Sequence, residues 1–169
     1  ASFFRCAAMC PSGCYNAVSN AMTKFHIEQF GCRATQADAA AIERQLVACG
    51  FAPSTQAAEA DVVVINTCTV TANADSQARQ AIRHFHAENP AAQIIATGCY
   101  AQRAPEELAQ IAGVSWVVGN SHKLEIAGLV KHASSLCAGT PELSLAVAPA
   151  KILTGNIFEQ TEVLVAPVL

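Results

Sequence analysis

Three cysteines are set apart by what precedes them. Cys32, Cys68 and Cys99 each follow a segment that reads as a strand, in KFHIEQFG-C, DVVVINT-C and QIIATG-C. Thiolates are the ligands of soft metals and of iron–sulfur groups. Their separation in sequence argues against the close cysteine pairs typical of a structural zinc site. A [4Fe–4S] group normally takes four thiolates. With three, one iron is left open to an outside ligand such as a sulfur species, which is a chemical use and not only a structural one. The competing reading is three buried cysteines acting as small hydrophobes.

The elements that would carry these residues alternate between strand and helix. Lys24–Phe30 reads as a strand ending at Gly31-Cys32, and Gln36–Cys49 as a helix stopped by Gly50. Asp61–Asn66 holds Val62, Val63, Val64 and Ile65, a run suited to a central parallel strand buried on both faces. Asp75–Glu88 reads as a helix, Gln93–Thr97 as a strand and Pro105–Ile111 as a short helix. Ser115–Val118 and Ser121–His132 complete the alternation as strand and helix. The fold class predicted is α/β: a three-layer, flavodoxin- or Rossmann-like parallel sheet with helices on both faces. Each cysteine of the trio then sits at the carboxyl end of a strand, the edge where open α/β sheets bind ligands. Gly31 and Gly98 would let the backbone come close to a bulky group.

Beyond His132 the pattern fades. Ser134–Pro149 reads as a linker, and Lys151–Ile157 and Glu162–Val168 as two possible edge strands. Ala1–Ala21 lacks any period and reads as a non-native or disordered extension, with Met22 as the natural start. Its Cys6, Cys10 and Cys14 form Cys-x3-Cys-x3-Cys, a close trio able to bind a metal adventitiously but not expected to have a functional role. Cys49 is expected in the core and Cys137 in the linker. Asn66 and Thr67 are expected either to support the site or to serve as ordinary turn and cap residues. Thr35 and Gln36 are expected to cap the following helix, with Asp38 in its first turn. Arg79 and Arg83 are expected on a solvated helix face, or facing RNA or another domain. Tyr100 is expected to shield the site from water. The five histidines show no spacing that converges with the cysteines.

Composition limits the partners. The 169 residues are 52% hydrophobic and 14% charged, with a net charge of -3. A domain gripping nucleic acid by its phosphates usually carries a basic excess, so any RNA contact is expected from another domain. No run of about 18 apolar residues is present, so no membrane span is expected. Eight cysteines within an α/β pattern favour a reducing compartment, and a cytoplasmic location is expected.

The strings FHIEQFGCRATQAD, DVVVINTCTVTANADSQARQAIR and IIATGCYAQRAPEEL resemble the N-terminal domain of the radical S-adenosylmethionine methylthiotransferases, over roughly Lys24 to Lys131. The resemblance implies an auxiliary [4Fe–4S] cluster held by Cys32, Cys68 and Cys99. It also implies addition of a methylthio group to a tRNA base or a ribosomal-protein side chain, with sulfur passing through that cluster. NTCTVTANAD, Asn66 to Asp75, most resembles the branch acting on threonylcarbamoyladenosine beside the anticodon. The family's radical domain, with Cys-x3-Cys-x2-Cys, a second [4Fe–4S] cluster and S-adenosylmethionine, would begin about where this chain ends at Leu169. Its C-terminal RNA-binding module would lie further on. The expected division is therefore 1–21 extension, 22–133 iron–sulfur domain and 134–169 linker with edge strands. This piece alone is expected to be inactive, and tRNA and a sulfur donor are the expected partners of the whole enzyme. The alternative is a non-enzymatic flavodoxin-like binding or interaction module with buried structural cysteines.

Overall fold

The computed structural model describes residues 22–31, 33–68, 72–137 and 150–155. Six strands form one parallel sheet: β1 (Lys24–Phe30), β2 (Ala52–Pro53), β3 (Val62–Thr67), β4 (Gln93–Gly98), β5 (Val114–Val118) and β6 (Lys151–Leu153), in the order β2-β1-β3-β4-β5-β6. The helices between them are α1 (Arg33–Ala48), α2 (Ala72–Glu88), α3 (Cys99–Arg103), α4 (Pro105–Ala109) and α5 (Ile126–Cys137). Every residue of β3 is buried, as its β-branched run requires.

The alternation of side chains along β3 divides the core into two layers. Val62 and Val64 pack with Ile42 and Leu46 of α1 and with Ile126 and Val130 of α5. Val63 and Ile65 pack with Ala78 and Ile82 of α2, Tyr100 of α3 and Leu108 of α4. This is the three-layer arrangement expected, with helices on both faces. β1 lies between β2 and β3, so the chain reverses its direction of travel across the sheet between β1 and β3. That crevice, outside the carboxyl ends of the strands, is where such sheets bind ligands.

Several boundaries differ from the sequence reading. α1 begins at Arg33, three residues early, because Arg33 and Ala34 are good helix formers placed directly after the strand-end turn. Thr35 is therefore inside the helix and buried, not a cap, and Gln36 likewise lies past the helix start. The first turn of α1 carries no acidic residue, so Asp38 falls beyond it. Ser121–His132 is not one helix. Asn120–Glu125 forms a 3-10 turn in which His122 leaves helical geometry (φ -121°), and α5 follows it as far as Cys137. Cys137 is thus the last residue of a helix, so Ser134–Cys137 of the predicted linker is helical, and 138–149 lie outside the described residues. β2 was missed because two residues containing a proline show no period. α3, to which the sequence pattern assigned no element, is a short helix anchored by buried Tyr100 and Ala101. Of the two expected edge strands, the first is β6, paired parallel to β5, and Glu162–Val168 lies outside the described residues.

Candidate iron–sulfur site

The carboxyl ends of β1, β3, β4 and β5 are locked in register. Phe30 pairs with Thr67, Thr67 with Gly98, and Thr97 with Val118. Continuing those registers past the strand ends aligns Gly31, Cys68, Cys99 and Asn120 as one row across four strands. The contacts agree with this row. A Cβ on Gly31 would lie 2.2 Å from Cys68 Cβ and 3.2 Å from its Sγ. At the other end Asn120 Nδ2 stands 3.8 Å from Cys99 Sγ. Cys68 is buried, while its neighbours in the row, Gly31 and Cys99, are exposed. Cys32, the third predicted ligand, lies outside the described residues, between the described Gly31 and Arg33. Among the described residues no group of three or more His, Cys, Asp or Glu side chains is gathered that could hold a metal ion.

The two glycines work differently from the expectation. Both have positive φ, 139° at Gly31 and 104° at Gly98, where L side chains are strained. What a side chain would strike is protein. At Gly98 a Cβ would lie 2.1 Å from Thr67 O and 2.8 Å from Asn66 Oδ1. The glycines allow neighbouring strand ends to close on one another.

Asn66 and Thr67 hold that closure. Asn66 Nδ2 donates to Thr35 O at 2.9 Å, tying β3 to the start of α1. Thr67 Oγ1 donates to Thr97 O at 2.7 Å, tying β3 to β4. Their donated bonds go to backbone, as turn chemistry would have it. Yet Asn66 Oδ1 and Thr97 Oγ1 are buried and have no partner among the described residues. Buried polar atoms without partners are rare in native folds and mark places where function competes with stability.

Beside the row, Lys123 of the 3-10 turn reaches Asp38 of α1. The lysine is buried, with 6% of its surface exposed, and a charge so placed requires a partner. Sequence reasoning gave neither Lys123 nor Asn120 a role. A signal existed: Gly119-Asn120 follows β5 as Gly98-Cys99 follows β4.

Tyr100 does not cover the site. It is fully buried in the core on the α2 face, accepts a hydrogen bond from Arg79 Nη1 at 2.7 Å and donates to Glu107 Oε2 at 2.8 Å. Burial pushes its phenol above the usual tyrosine value, against the Arg79 hydrogen bond, which lowers it. Arg79 is held above its ordinary value by the same hydrogen bond. Arg79 thus supports Tyr100, while Arg83 is exposed. Cys49 is half-buried against the α1-side core. Cys6, Cys10 and Cys14 lie outside the described residues.

The sheet is parallel and carries Cys68 and Cys99 at the carboxyl ends of β3 and β4, which defines an α/β domain with two described thiols on that edge. The chain matches the family described as "Uncharacterized protein family UPF0004" over residues 24–119. It belongs to that family, whose domain is the N-terminal domain of the methylthiotransferases. It is 39% identical to a protein of Aquifex aeolicus named threonylcarbamoyladenosine tRNA methylthiotransferase MtaB, over 83% of this chain and 32% of that one. It is 34% identical to a tRNA-2-methylthio-N(6)-dimethylallyladenosine synthase of Sulfurihydrogenibium sp., over 66% of this chain and 26% of the relative. Its identity to a ribosomal protein uS12 methylthiotransferase RimO of Chloroflexus aurantiacus is 32%, over 63% and 24% of the two chains. The chain thus spans a third or less of the length of these curated relatives.

The two described cysteines at this edge are of the donor type that an iron–sulfur group takes. Carried one residue past the paired strands, the register places Cys68 and Cys99 at neighbouring strand ends, and Cys32 follows Gly31 in the sequence. The row carries no side chain larger than asparagine.

Proposed function

We propose that this domain holds an auxiliary [4Fe–4S] cluster through Cys32, Cys68 and Cys99. In this reading it serves a cytoplasmic enzyme that adds a methylthio group to N6-threonylcarbamoyladenosine next to the tRNA anticodon. The observation that carries the reading is the row at the carboxyl edge, where Gly31 packs on Cys68 and the registers set Cys68 beside Cys99. When bound, a cluster held by three thiolates offers one iron without a protein ligand, open to the sulfur that is to be transferred.

The chain's own residues do the rest. Gly31 and Gly98 let the turns approach, and Asn66 and Thr67 fix the end of β3 against α1 and β4. Burial of Cys68 keeps water from one anchor, while exposed Cys99 leaves another open to partners. The methyl-transfer chemistry, with S-adenosylmethionine and a second cluster, belongs to a radical domain following residues 134–169, and RNA is bound further on. The net charge of -3 agrees with RNA recognition lying elsewhere. Support for the threonylcarbamoyladenosine substrate comes from the name of the Aquifex aeolicus relative and from the string Asn66–Asp75.

Anaerobic reconstitution with iron and sulfide tests the cofactor: a brown protein with broad visible absorption is expected, and a colourless, iron-free one contradicts it. The substrate is tested by mass spectrometry of tRNA nucleosides from a host lacking its own methylthiotransferases and supplied with the full-length gene. A methylthio group on threonylcarbamoyladenosine is expected. Its appearance on isopentenyladenosine alone, or on a ribosomal protein, contradicts the assignment.

A further inference from the structure

We propose that Asn120 is a positioning residue for Cys99, its carboxamide N–H donating to the cysteine sulfur and thereby raising the reduction potential of the bound cluster. The inference rests on the cluster reading above and adds a residue that neither the motif strings nor the cysteine pattern assigns.

Asn120 stands beside Cys99 at the end of the row Gly31–Cys68–Cys99–Asn120. Its side chain has two donor hydrogens and one acceptor oxygen. Nδ2 stands 3.8 Å from Cys99 Sγ, at the long end of an N–H···S contact. The other end, Oδ1, is buried and has no partner among the described residues. No stronger bond to the oxygen therefore dictates how the amide is turned. A metal-bound sulfur has no proton to give, so the N–H end is the one that can serve it.

The turn carrying Asn120 is fixed from two sides. Gly119 N–H donates to Leu153 O of β6 at 2.8 Å, and Lys123 is tied to Asp38 of α1. Residues of β6 and α1 thus set where the carboxamide stands, and a preset donor costs little reorganisation when charge on the sulfur changes. Hydrogen bonds to cluster sulfurs are among the factors that set iron–sulfur potentials. A donor stabilises the more negative, reduced state, so its loss shifts the potential downward.

The test uses the full chain, reconstituted anaerobically, with Asn120→Ala and the isosteric Asn120→Asp. Both variants are expected to bind as much iron and sulfide as the parent chain. The midpoint potential is expected to fall in Asn120→Ala by about a tenfold change in the oxidised-to-reduced ratio, about 59 mV for one electron. It is expected to fall further in Asn120→Asp, where an acceptor replaces the donor. The aspartate adds a negative charge as well as removing the donor, so the alanine variant is the one that isolates the hydrogen bond, and an unchanged potential in the aspartate variant overturns the proposal. So does an unchanged potential in Asn120→Ala. A second measurement needs no cluster: on the metal-free chain, the Asn120 side-chain NH2 resonances are expected to shift when Cys99 is replaced by alanine. Unmoved resonances overturn the contact whether or not iron binds, while shifted resonances in a chain that takes up no iron would locate the failure in the cluster reading.

Discussion

Gly31 and Cys68 come so close that a methyl group on the glycine would lie 2.2 Å from the cysteine Cβ. The backbone at Gly31 has a φ of 139°, which L side chains rarely adopt. Gly31→Ala therefore combines backbone strain with overpacking against a buried residue, at a cost of roughly 2–4 kcal/mol. Chemical denaturation should show the loss as a lower midpoint with an unchanged slope. A variant as stable as the parent would mean that the turn is free to move away from Cys68.

Lys123 and Asp38 form a second link, between the 3-10 turn and α1. Asp38 is partly exposed, with 33% of its side-chain surface free, so solvent eases part of the cost of breaking the pair. Lys123→Ala is expected to destabilise the domain by about 1–3 kcal/mol. Asp38→Asn should cost at least as much, because it leaves the buried ammonium without a counter-charge. Thermal unfolding of both variants and of the double variant measures the coupling. Strict additivity would show that the pair contributes nothing.

Tyr100 predicts behaviour in alkali. Its phenol is raised in the folded state, chiefly by burial, so the folded chain keeps a proton that the unfolded chain loses near pH 10. The unfolded state then binds fewer protons, and stability must fall as pH rises. The Tyr100 contribution is fully present below about pH 10 and is lost as pH climbs toward the raised folded value. Tyr100→Phe should be less stable at neutral pH through loss of the Arg79 and Glu107 bonds, and should show a flatter decline above pH 10. An equal decline in both proteins would place the titrating group elsewhere.

The sheet was legible because β3 and β4 are continuous apolar runs and β1 is bounded by a glycine, signals that local composition carries. The row at their carboxyl ends was legible only in part. Cys68 and Cys99 could be placed from strand ends alone, but the register that sets them side by side is a tertiary property. Asn120 escaped because one asparagine after a glycine looks like an ordinary turn. Lys123 escaped because nothing in a sequence marks which lysine is buried. The start of α1 at Arg33 was hidden by polar residues that resemble a cap, and the buried Thr35 shows how packing overrode that preference.

The most direct test of the central claim is the iron and sulfide content of single cysteine variants after anaerobic reconstitution. Cys32→Ala, Cys68→Ala and Cys99→Ala are each expected to lose the cluster, because a group held by three thiolates has no protein anchor to spare. Cys49→Ala, and Cys137→Ala at the end of α5, are expected to retain it, the former with some loss of stability from a small core cavity. A full complement of iron and sulfide in Cys68→Ala would contradict the account, since Cys68 is the buried thiol at the centre of the row and no other described cysteine stands in its place.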